Sequence, residues 1–375
     1  MRKLFFLLFI ILSLFLSSGC SYFELNDLAI ATALSIDYED DEVLVSAQIL
    51  NFETESGSTK KKALVYEGSG ENVGEAIRNI YKAYPKKLHL GHLELIVVSE
   101  DAVTNKIKEI LDYFLRSPEA RNDCNFVVSI GSNAKSVLTP INSEENTFTS
   151  DEIIDSIKNA EKFQGTVFLS TLQDVSKSYL ETGIMPAVTA VTFDNTDYSH
   201  VKSLNLVGLK GDNTLTPLMS DKEAISYNMI NEHFSDIMIE VPFHDDKISV
   251  VLYKPKSDIK VTLDDEVLFN IKVDIEANIS QIDQKYNLEK EDIVKEIEDS
   301  IENEVNYYID HLMTFCGDND IDLVGLKQLI YKSHYKDYKK YKDINLYKES
   351  DIKITSDVSL YRYGNTYKSI GDNDE

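Results

Sequence analysis

Cationic side chains are scarce in this 375-residue sequence. It carries 38 lysines and arginines against 64 aspartates and glutamates, which gives a formal net charge of −26. A surface of that sign repels nucleic acid and anionic lipid headgroups. The composition therefore argues against a nucleic-acid partner.

Cysteine is also scarce, with three residues in all. Cys20 follows an N-terminal apolar run, Cys124 lies in a later strand-like apolar run, and Cys316 closes a predicted helix. These surroundings favour two buried free thiols at Cys124 and Cys316 over a disulfide. The sequence leaves the pairing of these two residues open.

Motifs for nucleophilic catalysis are lacking. The sequence has no Gly-x-Ser-x-Gly elbow and no evident Cys–His arrangement. Gly68-Ser69-Gly70 and Gly74 stand between a predicted strand and a predicted helix, but their spacing departs from the dinucleotide-binding fingerprint. We interpret these glycines as a turn before a capped helix. We therefore predict a protein that is not an enzyme and binds no cofactor.

Metal motifs are incomplete as well. The two histidines and the glutamate within residues 89–94 have no fourth ligand nearby, and they lead into a strand whose alternate residues face opposite ways. The aspartates at 318, 320 and 322 resemble the start of a calcium loop. However, Leu323 and Leu329 occupy the positions of the obligatory glycine and the closing glutamate. Neither group predicts a metal site.

A single long apolar run lies at the N terminus. Arg2 and Lys3 precede Leu4–Leu16, and Ser17–Gly19 lead to Cys20. The run is shorter than the roughly 20 residues of a spanning helix, so we predict a signal peptide over residues 1–19. A cysteine after a small residue resembles the bacterial lipobox, which predicts lipidation at Cys20 and attachment to a membrane through that lipid. The alternative is an ordinary signal with a chance cysteine. The remainder is expected to form one soluble body.

Strand and helix patterns alternate along the first half of the chain. Apolar runs predict strands over residues 28–36, 43–50, 63–66, 93–98 and 125–130, with a polar loop over 53–62. Asn72 and Ser99 are placed to cap two amphipathic helices. This alternation predicts an α+β fold, in which mixed sheets pack with helices in two or three small domains.

The second half contains the strongest single pattern. Val267–Ile279 is apolar at every second position, which predicts a long half-buried strand. A helix over Leu288–Phe315 follows, and its apolar stripe must pack on a sheet. The polar stretch 194–200 is the candidate boundary between an N-terminal domain over 20–200, possibly with two lobes, and a C-terminal domain over 201–375.

One segment is rich in lysine, although the sequence as a whole is acidic. Residues 331–348 interleave five tyrosines with six lysines, a composition that suits a headgroup surface or an acidic protein partner. The candidate contact residues are Tyr338, Lys339, Lys340, Tyr341 and Lys342. The alternative, which we favour, is a solvated helix and loop whose tyrosines pack on the domain.

Five short stretches in a fixed order form a set: Glu24–Ile30, Glu75–Arg78, Pro85–Leu88 with Gly91-His92, Leu115–Arg121 and Leu206–Leu209. Taken together, they resemble the Ger(x)C family of spore-germination lipoproteins. The chain departs from the family pattern at Ser21–Phe23, where the family usually has Trp-Asp or similar. It also has no tryptophan, whereas the family carries tryptophans near its C terminus.

The resemblance implies a specific role. It implies three small α+β domains on a lipid anchor at the outer face of the spore inner membrane, beside two integral membrane subunits called A and B. Together they would form a receptor for nutrient germinants, in which this C subunit has no enzymatic activity or cofactor. The rival interpretation is a substrate-binding lipoprotein of a membrane transporter, and an exported hydrolase is the third.

Overall fold

Two β-sheets carry most of the structure, a computed structural model that describes residues 28–55, 58–139, 149–193, 201–233, 236–264, 266–283 and 285–362. The strands are β1 (Leu28–Glu39), β2 (Glu42–Glu55), β3 (Ser58–Gly70), β4 (Lys87–His89), β5 (Leu95–Ser99), β6 (Asn125–Ile130), β7 (Ala187–Phe193), β8 (Val201–Gly208), β9 (Asp236–Phe243), β10 (Asp246–Leu263), β11 (Val267–Gln281) and β12 (Asp351–Arg362). The helices are α1 (Val73–Ile80), α2 (Glu100–Arg116), α3 (Ala134–Leu138), α4 (Thr149–Phe163), α5 (Leu172–Leu180), α6 (Asp221–Ile230), α7 (Glu291–Asn319), α8 (Leu326–Ser333), α9 (Tyr338–Tyr341) and α10 (Leu346–Glu349).

The first sheet has eight strands in the order β3-β2-β1-β5-β6-β7-β8, with β4 paired beside the start of β1. Strands β1, β5, β6 and β7 run parallel, while β2, β3 and β8 are antiparallel to their neighbours. Helices α1, α2 and α5 share a core with one face, and α3 and α4 share a core with the other. The predicted α+β class with mixed, helix-covered sheets is confirmed.

The caps of the first two helices form as the sequence predicts. The Asn72 side chain accepts a hydrogen bond from the Glu75 amide, and the Ser99 hydroxyl accepts one from the Ala102 amide. Each cap satisfies a backbone donor that would otherwise lack a partner in the first turn. Both helices therefore begin where a short polar side chain precedes an amphipathic run.

The predicted loop is wrong over residues 53–55 and 58–62, because β2 extends to Glu55 and β3 begins at Ser58. Their backbones pair from Val43 with Gly70 to Glu55 with Ser58. Main-chain hydrogen bonds to a neighbouring strand do not depend on side-chain polarity, so a polar stretch can extend a strand that is already paired.

The second sheet has the order β12-β11-β10-β9, and β12 runs parallel to β11. Its inner face packs against α7, whose buried side chains at 297, 301, 305, 309 and 312 form the predicted stripe. One core cluster contains residues of both sheets, including Val97 and Val127 from the first and Ile239 and Val250 from the second. The two sheets are therefore joined by shared apolar packing.

The strand that follows residue 200 belongs to the first sheet. β8 pairs with β7 along Ala187 to Phe193, so the sheet continues past the polar stretch to Gly208. That stretch, 194–200, lies outside the described residues. The division of the chain at residue 200 stays a prediction.

Both thiols beyond Cys20 are buried and free. Burial raises the pKa of Cys124 to about 12 and also raises the pKa of Cys316. A thiol that stays protonated is a poor nucleophile. The preference for two buried, unpaired cysteines is confirmed.

Candidate functional site

The lysine- and tyrosine-rich segment, residues 331–348, lies between α7 and β12. It contains the end of α8 and the short helices α9 and α10. The four fully buried members of a small core lie beneath it: Phe269, Leu326, Ile330 and Leu346. This core closes the end of the second sheet where β10 and β11 meet, because Val261, Leu263 and Val267 pack against it.

The tyrosines of the segment serve mainly as packing residues. Tyr338 and Tyr341 are half-buried against the small core, and the Tyr331 ring meets Tyr335 and Tyr338 edge to face at centroid distances of 5.3 and 5.1 Å. Edge-to-face geometry is favoured by aromatic rings. The aromatic half of the segment thus agrees with the interpretation that its tyrosines pack on the domain.

The lysines of the segment point to solvent. All six are exposed: Lys332, Lys336, Lys339, Lys340, Lys342 and Lys348. Lys340 pairs with Asp337 at 3.1 Å and Lys342 with Asp343 at 3.6 Å, both within the segment. Exposed ion pairs of this kind contribute little to stability, so they leave the ammonium groups available to a partner surface.

A buried carboxylate holds the segment in place. The Asp322 side chain accepts hydrogen bonds from the amides of Gly325, Leu326 and Lys327 at 2.9, 2.9 and 2.7 Å. It also accepts one from the Tyr347 hydroxyl at 2.6 Å, which ties α10 to the start of α8. These donors include the first amides of α8, so Asp322 acts as the cap of that helix from outside it.

Burial is the largest influence on the pKa values of Asp322 and Tyr347. It raises the pKa of Asp322 from its usual range, although the Tyr347 hydroxyl and the backbone amides oppose the rise. Burial, together with the neighbouring Asp322 charge, raises the pKa of Tyr347 well above its ordinary value. Tyr347 therefore remains a hydrogen-bond donor to Asp322 at neutral pH.

Ile321 and Asp322 contact the first sheet at the end where its parallel strands begin. The Met185 amide, just before β7, donates to the Asp322 carbonyl at 3.3 Å, and Ile321 faces Gly208 at the end of β8. Gly183 has a φ of +79°, and a Cβ there would lie 2.8 Å from the Gln328 amide nitrogen. Strands β1, β5, β6 and β7 are parallel, so all four start at this end of the sheet.

The predicted lipidation site, Cys20, and the predicted signal peptide lie outside the described residues. Within the described ranges, none of the helices is long and apolar enough to cross a membrane. Cys20 therefore stays a prediction, and the contact nearest to the lysine segment on the first sheet is the one that Asp322 makes with Met185, just before β7.

The glycines interpreted as a turn have a different role. Gly68 and Gly70 lie in β3, and a Cβ at Gly68 would come within 2.3 Å of the Ala76 carbonyl oxygen in α1. The glycines allow α1 to lie directly on the strand. This close approach depends on tertiary packing, which the spacing of glycines alone does not reveal.

Neither incomplete metal motif forms a cluster of metal ligands among the residues that the structure describes. The rings of His89 and His92 lie edge to face at 5.8 Å. Across the described ranges, no group of three or more histidine, cysteine, aspartate or glutamate side chains could hold a metal ion. Asp322, the third aspartate of the apparent calcium loop, is the helix cap described above.

A second buried carboxylate escaped the sequence analysis. Asp37 ends the apolar part of β1 and accepts hydrogen bonds from the amides of Ala134 and Lys135 at 2.6 and 3.0 Å. Burial raises its pKa, and those amides oppose the rise. A charged residue directly after an apolar strand was the available signal, but its partner lies almost 100 residues away.

Comparisons with known proteins agree with this fold. Residues 21–193 match the family described as spore germination protein N-terminal domain, and residues 209–364 match the family described as spore germination B3/GerAC like, C-terminal. Spore germination protein KC of Bacillus subtilis (strain 168) is 23% identical over 369 residues, covering 90% of each chain. The crystal structure of the GerBC protein superposes with a TM-score of 0.53 at 18% identity, covering 88% of this chain and 96% of that one.

Proposed function

Since the chain belongs to the Ger(x)C family of GerAC-like spore germination proteins, we propose that it is the lipid-anchored C subunit of a nutrient germinant receptor. Two family models placed in order along most of the chain carry this proposal. The family consists of receptor subunits and not enzymes, so the prediction of a non-enzymatic protein is confirmed. The proposed partners are the integral membrane A and B subunits of such a receptor.

The proposed anchor is the lipid on Cys20, at the outer face of the spore inner membrane. Seven residues separate Cys20 from β1, and an extended chain spans at most about 3.6 Å per residue. The start of β1 would therefore lie within roughly 30 Å of the lipid headgroups. Asp322, which is bonded to Tyr347 of the lysine segment, contacts the first sheet at Met185, just before β7. The exposed ammonium groups of the segment are proposed to face the membrane or the exposed parts of the membrane subunits.

The architecture counts against the rival transporter lipoprotein. Such binding proteins usually have two similar lobes, whereas the two sheets here differ in strand number, order and direction. Described side chains of both sheets also pack together in one core, unlike two lobes that move about a hinge. The receptor subunit is the better account.

The proposal is tested in spores that lack the protein, complemented with the wild type or with Cys20→Ala. We expect the null spores to lose nutrient-triggered dipicolinate release and to respond normally to a receptor-independent trigger. Wild type should restore the nutrient response and Cys20→Ala should not, because a chain without acyl groups cannot stay at the membrane. Null spores that germinate like the parent with every nutrient would contradict the receptor proposal.

The lysine segment is tested separately by charge reversal. Lys339, Lys340 and Lys342 are all changed to Glu, and the matched control changes three exposed lysines elsewhere: Lys108, Lys158 and Lys162. Both variants change the net charge equally, so only the position differs. We expect co-purification with the membrane subunits to fall in the first variant and to persist in the control. Equal behaviour of the two variants would remove this segment from the interface.

A further inference from the structure

A groove of about 600 Å³ runs between the first half of α7 and β12. β12 is an end strand of the second sheet, with β11 on one side and no strand on the other within the described residues. An end strand presents main-chain donors and acceptors to anything that lies beside it. The groove therefore combines an open sheet edge with the side of a helix, a geometry that accepts an added strand.

Two glutamates of α7 accept hydrogen bonds from main-chain amides on the free side of β12. The Val358 amide donates to Glu302 at 3.1 Å, and the Leu360 amide donates to Glu298 at 3.0 Å. Carbonyl oxygens of a neighbouring strand would accept from these same amides. The carboxylates sit at a solvent-open groove and regain water when displaced, so they substitute for a missing strand without closing the edge permanently.

The walls of the groove are strongly acidic. Lys295 is the one cation among its lining residues, against six anions: Glu289, Glu291, Glu298, Asp299, Glu302 and Asp357. Apolar contact is offered by Leu288, Val294 and Val358 on the same walls. A lining of this kind attracts a segment that carries both cationic and aliphatic side chains.

A second copy of this chain does not fit the groove. Each copy is acidic overall and would present its own carboxylates to the edge of the other, so edge-to-edge pairing would bring like charges together. Cationic partners suffer no such penalty. The charge of the groove thus selects the occupant.

We propose that this groove binds an extended, lysine- or arginine-bearing segment of a partner protein as a fifth strand beside β12. Carbonyl oxygens of the incoming segment accept from the amides of Val358 and Leu360. The released Glu298 and Glu302 carboxylates pair with its cationic side chains, which project from alternate positions toward α7. Main-chain bonds supply affinity, and the acidic wall supplies selectivity for charge.

The test uses the full lipidated chain in neutral detergent and fluorescein-labelled, end-blocked octapeptides that alternate lysine with valine or glutamate with valine. Anisotropy should show saturable binding of the lysine peptide and none of the glutamate peptide. Glu298→Gln/Glu302→Gln should weaken binding about tenfold or more, a loss of about 1.4 kcal/mol. The matched control, Glu304→Gln/Asp310→Asn, removes two charges from α7 outside the groove and should change the affinity less than about twofold.

A second variant separates strand addition from simple charge attraction. Leu360→Pro removes an amide that points to Glu298 and not to β11, so the sheet keeps its ladder while the edge loses a donor. We expect the far-ultraviolet circular dichroism to be unchanged and the lysine peptide to bind at least about tenfold more weakly. In the wild type, the peptide should slow deuterium exchange in the fragment spanning residues 351–362.

Several results would overturn the proposal. Equal weakening in the groove variant and the α7 control would reduce the binding to general charge attraction. Binding that begins only after removal of residues 363–375 would assign the groove to the chain's own tail. Self-association that is lost in Leu360→Pro would assign it to a second copy. Absence of saturable binding at millimolar peptide would remove the site altogether.

Discussion

The buried side chain of Asp322 joins the start of α8 to α10 beside the lysine segment. Its carboxylate satisfies three backbone amides at the start of α8 and the hydroxyl of Tyr347. Substitution Asp322→Ala would leave those buried donors without an acceptor. We expect a loss of about 2–4 kcal/mol in the free energy of unfolding, measured by urea denaturation.

The matched control for this change is Asp318→Ala, which removes the same charge four residues away. Asp318 is exposed and pairs with Lys348 at 3.2 Å. An exposed ion pair contributes less than about 1 kcal/mol, so this variant should unfold almost like the wild type. Equal losses in the two variants would show that Asp322 does not act through its buried hydrogen bonds.

At the scale of elements, the packing of α1 on β3 depends on a missing side chain. A Cβ at Gly68 would lie 2.3 Å from the Ala76 carbonyl oxygen and 2.7 Å from the Ile80 amide nitrogen, both backbone atoms of α1. Gly68→Ala must push the helix away from the strand. We expect a loss of about 1–3 kcal/mol in the free energy of unfolding, measured in urea.

Gly211→Ala, in the turn after β8, is the control for the Gly68→Ala substitution. A Cβ at Gly211 would meet only the Met185 methyl carbon, at the ordinary contact distance of 3.6 Å. The unfolded chain loses conformational freedom with alanine, so we expect a neutral effect or a gain of up to about 1 kcal/mol. A neutral result for Gly68→Ala as well would mean that α1 does not contact β3 closely in solution.

At the scale of the whole molecule, one apolar core spans both sheets, which favours a single cooperative unfolding transition. The chain has no tryptophan, so single reporters can be introduced without background signal. Tyr66→Trp reports on the first sheet and Tyr253→Trp on the second. We expect the two fluorescence transitions in urea to share one midpoint.

Circular dichroism of the unmodified chain controls for effects of the reporters themselves. Its midpoint should coincide with both fluorescence midpoints, because all three probes would follow the same transition. Separate midpoints for Tyr66→Trp and Tyr253→Trp would show that the two sheets unfold independently. The boundary between the two folding units would then lie after β8, between Gly208 and the start of β9 at Asp236.

Elements that depend on local periodicity and on cap chemistry could be predicted from the sequence alone. The alternation of Val267–Ile279 predicted β11, and the apolar stripe of residues 293–312 predicted α7. The side chains of Asn72 and Ser99 predicted the starts of α1 and α2. These signals predict structure correctly because residues close together in the chain form them. The ordered short motifs pointed to the family for the same reason.

Features that join distant parts of the chain could not be predicted before the fold was known. Polar residues 53–55 and 58–62 are strand because β2 and β3 pair. Asp322 is a helix cap because Tyr347 and the start of α8 surround it. The groove beside β12 arises where Glu298 meets Leu360, 62 residues later. Hydrogen bonds between such distant positions leave no periodic trace in the sequence, so a pattern of neighbouring residues does not predict them.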